Sequence, residues 1–241
     1  MKNRFLQFCI ALLVVLFFSC STSSEGSNEN SSSNITRPIN PITALEIRIG
    51  GQIWSAKNLN VSKYSDGTPI LQVTDPTQWA SLTTGAWCYY ENSTTNGATY
   101  GKLYNWYAVA GIFDAASADN PALRKKLAPN GWHIPTDSEW TQLINYLGGE
   151  ALACGKMKSV GTTLWQAPNA SATNSSGFSG LPGGWCGDGT FGDVGLTGSW
   201  WSSTEFSKAL AWRILLSFDS GWTYRGLNHE SYGISVRCLR D

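Results

Sequence analysis

Asn130-Gly131-Trp132-His133-Ile134-Pro135-Thr136-Asp137-Ser138-Glu139-Trp140, running on through Thr141-Gln142-Leu143-Ile144-Asn145-Tyr146-Leu147 to Gly148-Gly149, states its structure more plainly than any other stretch of the chain. Thr136 and Glu139 have the spacing of a capping box, in which the hydroxyl accepts from the Glu139 amide and the carboxylate reaches back to the Thr136 amide. Trp140, Leu143, Ile144 and Leu147 then fall on one helical face, and the glycine pair stops the helix. This spacing predicts a helix with one buried face over 137–147. His133, Asp137 and Glu139 also have the look of a catalytic cluster. Capping accounts for Glu139, the helix macrodipole accounts for Asp137 in the first turn, and His133 just ahead of the helix reads as structural.

Working outward, residues 1–19 read as a lipoprotein signal peptide. Lys2 and Arg4 form a charged start, and Phe5 to Phe18 is an almost unbroken apolar run. It is short for a membrane span, which needs ~20 residues. Ser19-Cys20 places a small residue and then Cys where bacterial lipoproteins are cleaved. A plain secretory signal with an incidental Cys is the alternative. The Ser- and Asn-rich run over 20–44 favours lipidation of Cys20, because it reads as a disordered tether with too few apolar residues to order itself. An acylated Cys20 anchors a domain at a membrane without spanning it.

Residues 45–241 are long enough for one domain with a real core. The chain holds 17 basic and 17 acidic residues. Loss of residues 1–19 removes Lys2 and Arg4 and leaves a formal charge of about −2. With no basic run, nucleic acid is not an expected partner. Charged residues make up 14% of the chain while Gly (25) and Trp (12) are plentiful, so loops and surface must be built largely from Ser, Thr, Asn, Gly and aromatics. Such a surface suits polar, uncharged ligands better than phosphates. Past Cys20 stand Cys88, Cys154, Cys186 and Cys238, which allow three pairings that sequence alone does not separate. None forms a Cys-x-x-Cys.

Leu45 to Ile49 and Gln52 to Ser55 alternate about Gly50-Gly51 and read as a hairpin. Residues 62–86 read as loop, Ala86 to Tyr90 as a short strand and 91–97 as a polar break. Tyr100 to Ala110 has helical spacing while its aromatics also suit a strand, with a short helix the favoured reading, and Pro121 to Leu127 suits a single turn. Lys156-Met157-Lys158 reads as a brief strand and Trp165 to Phe178 as polar loop. Glycine recurs at 177, 180, 183, 184, 187, 189, 192, 195 and 198, which predicts a long irregular region. Trp212, Ile214, Leu216 and Phe218 alternate, turn at Asp219-Ser220-Gly221 and return through Trp222, Tyr224 and Gly226 as a second hairpin. Ile234, Val236 and Cys238 form a closing strand with one buried face. The fold class is α+β: two flanking helices, small antiparallel sheets and very long Gly/Trp-rich loops.

Several pieces in order resemble one family. They are Ile49-Gly50-Gly51-Gln52-Ile53-Trp54 with Asn58-Leu59, Trp87-Cys88-Tyr89-Tyr90, Tyr100 to Ala108, Ala128 to Thr136 and Glu139-Trp140. Gly177-Phe178, Leu181-Pro182-Gly183-Gly184, Trp200-Trp201-Ser202-Ser203-Thr204-Glu205 and Gly233 to Cys238 complete the series. Over about 45–241 the chain is similar to the Fibrobacter succinogenes major paralogous domain. That resemblance implies an exported, often lipid-anchored protein and names no ligand. Gly131 to Thr136 with Glu139-Trp140, and Gly233 to Arg237, are more distantly similar to formylglycine-generating-enzyme-like domains. This second likeness implies a C-type-lectin-like fold, with paired terminal strands and functional loops. His133 stands where those enzymes carry Arg. Cys88 and Cys238 fall in family-typical strand motifs, which implies that they pair and leaves Cys154 and Cys186 for a second bridge.

An enzyme of the formylglycine-generating kind needs two reactive cysteines close together late in the chain, and Cys186 and Cys238 are far apart. A hydrolase needs a base, but only His133 and His229 are available and no Ser sits in a Gly-x-Ser-x-Gly elbow. Calcium needs six to eight oxygens, and Asp188, Asp193 and Glu205 are scattered. No catalytic residue, cofactor or metal is therefore expected. The remaining signal is aromatic. Trp185, Trp200, Trp201, Trp222 and Tyr224, with Asp188, are the candidate ligand-binding residues. Strand alternation turns one of Trp200 and Trp201 inward and the other outward, and Trp185 beside Gly183-Gly184 is the preferred exposed platform. The expectation is a lipid-anchored protein of the bacterial cell surface or outer membrane with a non-catalytic binding or adhesion role, glycan first. A structural paralogue acting through protein contacts is the alternative; an enzyme ranks last.

Overall fold

Thr136 starts its helix as the spacing predicts. The Glu139 amide donates to the Thr136 hydroxyl at 3.2 Å, and the Thr136 amide donates to the Glu139 carboxylate at 2.7 Å. The helix runs Asp137–Tyr146, and Trp140, Leu143, Ile144 and Leu147 are all buried. The computed structural model describes residues 46–241. The expected signal peptide over 1–19, the lipidation residue Cys20 and the expected tether over 20–44 lie outside the described residues.

In chain order the elements are β1 (Glu46–Ile49), β2 (Gln52–Ser55), β3 (Leu71–Gln72), α1 (Pro76–Ala80), β4 (Ala86–Cys88), α2 (Thr94–Tyr100), β5 (Leu103–Tyr104), α3 (Trp106–Val109), α4 (Ala115–Asp119), β6 (Trp132–His133) and α5 (Asp137–Tyr146). There follow α6 (Glu150–Met157), β7 (Gly183–Gly187), β8 (Thr190–Val194), β9 (Thr197–Ser207), β10 (Leu210–Ser217), β11 (Thr223–His229) and β12 (Leu239–Arg240). Single 3-10 turns lie at Tyr90–Asn92 and Pro121–Leu123. The sheets run β1-β2-β12-β6, β11-β10-β9, β3-β4-β5 and β7-β8, mostly antiparallel, so the class is α+β. Both expected hairpins form, Ile49 opposite Gln52 in the first and Leu215 opposite Tyr224 in the second.

The interior divides into three apolar clusters. One gathers Trp87, Tyr104, Trp106, Trp132, Trp201, Ile234 and Val236. Another gathers Trp54, Trp140, Leu143, Phe178, Trp200, Ile214 and Leu216 beneath α5 and α6. Its rings meet at close range: Trp54 to Trp140 at 4.6 Å and Phe178 to Trp200 at 5.5 Å between centroids, the latter edge to face. A third, smaller cluster holds Val73, Trp79, Cys88, Leu103 and Cys186.

Buried polar groups tie the pieces together. Asn58 accepts from the Trp200 indole at 2.8 Å and from Arg237 Nε at 2.8 Å, and donates to the Tyr100 carbonyl at 2.8 Å. Arg237 is fully buried without a carboxylate. It donates to the Ser55 carbonyl at 2.7 Å and lies 4.4 Å over the Phe178 ring, and burial lowers its pKa to about 9. The buried Lys158 ammonium donates to the carbonyls of Ala170, Ser217 and Ser220 at 2.7, 2.8 and 3.0 Å.

Five expectations about the elements fail for physical reasons. Lys156 and Met157 are not strand: Gly149, at φ 86°, lets a second helix start at once, and Lys158 ends it. Residues 91–97 are not simply a polar break, because Ser93 accepts from the Asn96 amide and caps α2, which runs on to Tyr100; the helix expected over 100–110 shrinks to α3 behind β5. The loop expected over 62–86 contains α1, capped by Asp75, whose carboxylate accepts from the Gln78 amide at 2.8 Å. The glycine-rich span is a hairpin, β7–β8, running into β9. Its glycines seat aromatic rings: a Cβ on Gly192 would overlap the Trp185 ring, and one on Gly198 would overlap Trp200. Glycine within a strand marks such close approach as readily as a loop.

Candidate functional site

Pairing across β9, β10 and β11 sets Ser199 opposite Leu215, Leu215 opposite Tyr224, Trp201 opposite Arg213 and Arg213 opposite Gly226. Directly opposed residues share a sheet face. On this face Trp201 is buried at one end, while Arg213, Leu215, Ser217, Tyr224 and Gly226 line an open groove of about 390 Å³. Gly226 helps to open it, since a Cβ there would have no atom within 4 Å. Arg213 donates to the Ser199 hydroxyl at 3.0 Å, and its buried Nε has no hydrogen-bond partner. Burial lowers its pKa against the opposing charge of Asp193. Asp193 in turn accepts from the Trp185 indole at 2.9 Å.

The expected aromatic site residues separate into three groups. Trp222 and Tyr224 are exposed at 57% and 51%, and Tyr224 lines the groove. Trp185 is half-buried, with its indole N–H taken by Asp193 and its ring 5.4 Å from Tyr232. Asp188, exposed at the β7–β8 turn, accepts from the Tyr232 hydroxyl. These two therefore border Tyr232, and Trp185 is less open than expected. Trp200 and Trp201 are fully buried. They do point to opposite faces, but both faces are covered. Trp200 enters the cluster beneath α5 and donates to Asn58; Trp201 enters the cluster of Trp106 and Trp132 and donates to the Tyr104 carbonyl at 2.8 Å. Neither is free to meet a ligand. Ile234, Val236 and Cys238 are likewise buried along with Ser235 and Arg237 between them, so the closing segment is covered on both sides.

Sequence reasoning passed over Arg213, Leu215, Ser217 and Gly226. The available signal was an arginine placed out of phase with Trp212, Ile214 and Leu216, and hence on the other face of an alternating strand.

The cysteines do not pair as expected. No sulfur–sulfur bond joins any two of the four described cysteines in this structure. Cys238 lies in the first cluster and Cys154 in the second, where it donates to the Ser220 carbonyl at 3.4 Å; Cys88 and Cys186 share the third. Separate cores keep Cys88 from Cys238 and Cys154 from Cys186.

The catalytic-looking trio has no free base. His133 Nδ1 meets the Asp241 carboxylate at 2.8 Å and Nε2 meets Glu139 at 3.0 Å, so neither ring nitrogen is left to take a proton from a nucleophile. Burial raises the Glu139 carboxyl, but bonds from Thr136 and His133 outweigh it and hold the pKa below its ordinary value. Asp137 is held in a two-pronged pair by Arg225 at 2.6 and 2.5 Å, and that guanidinium lies 3.7 Å over Trp212. Among the described residues no cluster of three or more His, Cys, Asp or Glu could hold a metal ion.

The family model for the Fibrobacter succinogenes major domain matches residues 47–240. The chain belongs to that family. Its motif residues are among those that converge inside the fold: Asn58, Trp200 and Arg237 meet at one polar node, and the Trp54 and Trp140 rings pack together at a tilt of 45°. The groove residues Arg213 and Tyr224 lie within the matched span but outside those motifs. No match was found among curated proteins or among solved structures.

Proposed function

We propose that this family member is a lipid-anchored protein of the bacterial cell surface or outer membrane with a non-catalytic binding role, and that its ligand is a glycan held in the β10–β11 groove. The carrying observation is the open groove of about 390 Å³ in which exposed Tyr224 stands beside Arg213 and Ser217. A flat ring for stacking beside polar donors and acceptors is the chemistry that a sugar requires. The double carboxylate contact of His133 argues against a base, and burial of the four cysteines argues against an oxidase. The finer fold reading is C-type-lectin-like, supported by the pairing of β2 with β12 through Trp54 and Leu239. Contact with another protein is the second reading, favoured by Tyr146 and Leu152, exposed at 65% and 56% near the α5–α6 corner.

A glycan array probed with the exported protein tests the first reading. Gly226→Val is expected to abolish binding by filling the groove while leaving the fold intact. Failure of the wild type to bind any glycan removes the glycan reading. Palmitate labelling that is present in the wild type and lost in Cys20→Ser is expected for the anchor, and an unlabelled wild type removes it.

A further inference from the structure

Cys88 in β4 and Cys186 in β7 are 98 positions apart in sequence, and their sulfur atoms stand 2.9 Å apart. That is inside the van der Waals separation of two sulfurs and within a small adjustment of a bond of about 2.04 Å. Both residues are buried, beside a cavity of about 10 Å³ also lined by Trp79 and Phe191. The contact is imposed from both sides. Cys186 exchanges backbone hydrogen bonds with Gly233 at 2.9 and 2.7 Å, and a Cβ on Gly233 would overlap the Cys186 sulfur. Cys88 is fixed by its pairing with Leu103. Neither of the other two described cysteines, Cys154 and Cys238, shares their cluster.

We infer that Cys88 and Cys186 form a disulfide that staples the β7–β8 hairpin to the β3-β4-β5 sheet, and that Cys154 and Cys238 remain thiols. The oxidant is an external disulfide. One thiolate of the pair attacks it, forming a mixed disulfide and releasing one thiolate. The second cysteine then attacks the mixed disulfide at the protein sulfur and releases the other. Two protein thiols lose two electrons and two protons, and one external disulfide becomes two thiols. Because both sulfurs are covered in the folded chain, the exchange belongs to folding, before the hairpin closes. The β7–β8 hairpin carries Asp193, which accepts from the Trp185 indole and whose charge acts on Arg213, so the staple also steadies a charge that the groove feels. The bridge is independent of the proposed ligand, but in the cell it rests on the oxidising compartment that the proposed export supplies.

The test is to refold the reduced full chain in a mixture of oxidised and reduced glutathione, alkylate it after unfolding, and map peptides without reduction. The expected result is one bridge, Cys88 to Cys186, with Cys154 and Cys238 alkylated. Alkylation of both Cys88 and Cys186, or a bridge from either to any of the other four cysteines of the chain, overturns the inference. A closed loop of this size is expected to raise the thermal midpoint by roughly 5–15 °C. A phosphine reductant should abolish that gain in the bridged protein and leave a Cys88→Ala/Cys186→Ala variant unmoved. An unchanged midpoint on reduction of the mapped bridge overturns the stapling role.

Discussion

The two faces of the β9-β10-β11 sheet are built from neighbouring residues of the same strands and end in opposite states. On one face Trp200, Ile214 and Leu216 are sealed beneath α5 and α6. On the other, Trp201 is sealed at one end, and the face then opens at Leu215, Tyr224 and Gly226. Aromatic content does not separate the two. What separates them is whether another element lies across the face, and at Gly226 none does. Exposure of a tryptophan in this protein is therefore a property of long-range packing and not of its neighbours in sequence.

The comparison predicts a steep contrast on truncation. Trp200→Ala leaves a cavity against Phe178 and removes one of the two hydrogen bonds to the Asn58 oxygen, and should cost about 3–5 kcal/mol in urea unfolding. A loss under 1 kcal/mol would mean that the sealed face is not a packed core.

The next effect is a pH dependence. Glu230 is buried and its Oε1 lacks a partner; burial first, and then the charge of Glu205, raise its pKa from 4.5 to about 7, with Arg124 opposing. Its stabilising share is whole below about pH 4.5 and is lost as pH rises through 7, because the folded state holds the proton more tightly than the unfolded state. In Glu230→Gln, the fall in stability between pH 4.5 and 7.5 should shrink by roughly 3 kcal/mol, by the exchange of about 1.4 kcal/mol per pKa unit. Parallel profiles for the two proteins would refute this.

Thr136→Ala breaks the capping box and should lower stability by about 1–2 kcal/mol. The smallest effect belongs to the open face. Tyr224→Ala should move stability by no more than ~0.5 kcal/mol and yet remove ligand binding, whereas a large loss of stability would make Tyr224 a core residue.

How much of this was legible in the sequence follows from the range of the forces involved. The α5 helix and both hairpins rest on local capping, alternation and turn residues, and all three appear. The β7–β8 hairpin was hidden because Gly192 and Gly198 look like loop residues until the rings of Trp185 and Trp200 lie on them. Trp200 and Trp201 were legible in direction but not in burial, which depends on residues as distant as Asn58 and Tyr104. The exposed candidates Trp222 and Tyr224 were legible, but their groove partners Arg213 and Gly226 were not. Pairing register across three strands defines that face, and composition carries no record of register.

Lys158 gives the groove an unusual foundation. Its ammonium is ringed by the carbonyls of Ala170, Ser217 and Ser220, oxygen donors of the type that also ligate hard metal cations. Here the cation is part of the chain. It gathers the end of β10 and the turn that leads to Trp222 and Tyr224, and it cannot be diluted, exchanged or chelated away. The groove face is thereby anchored by a cation that the chain itself supplies.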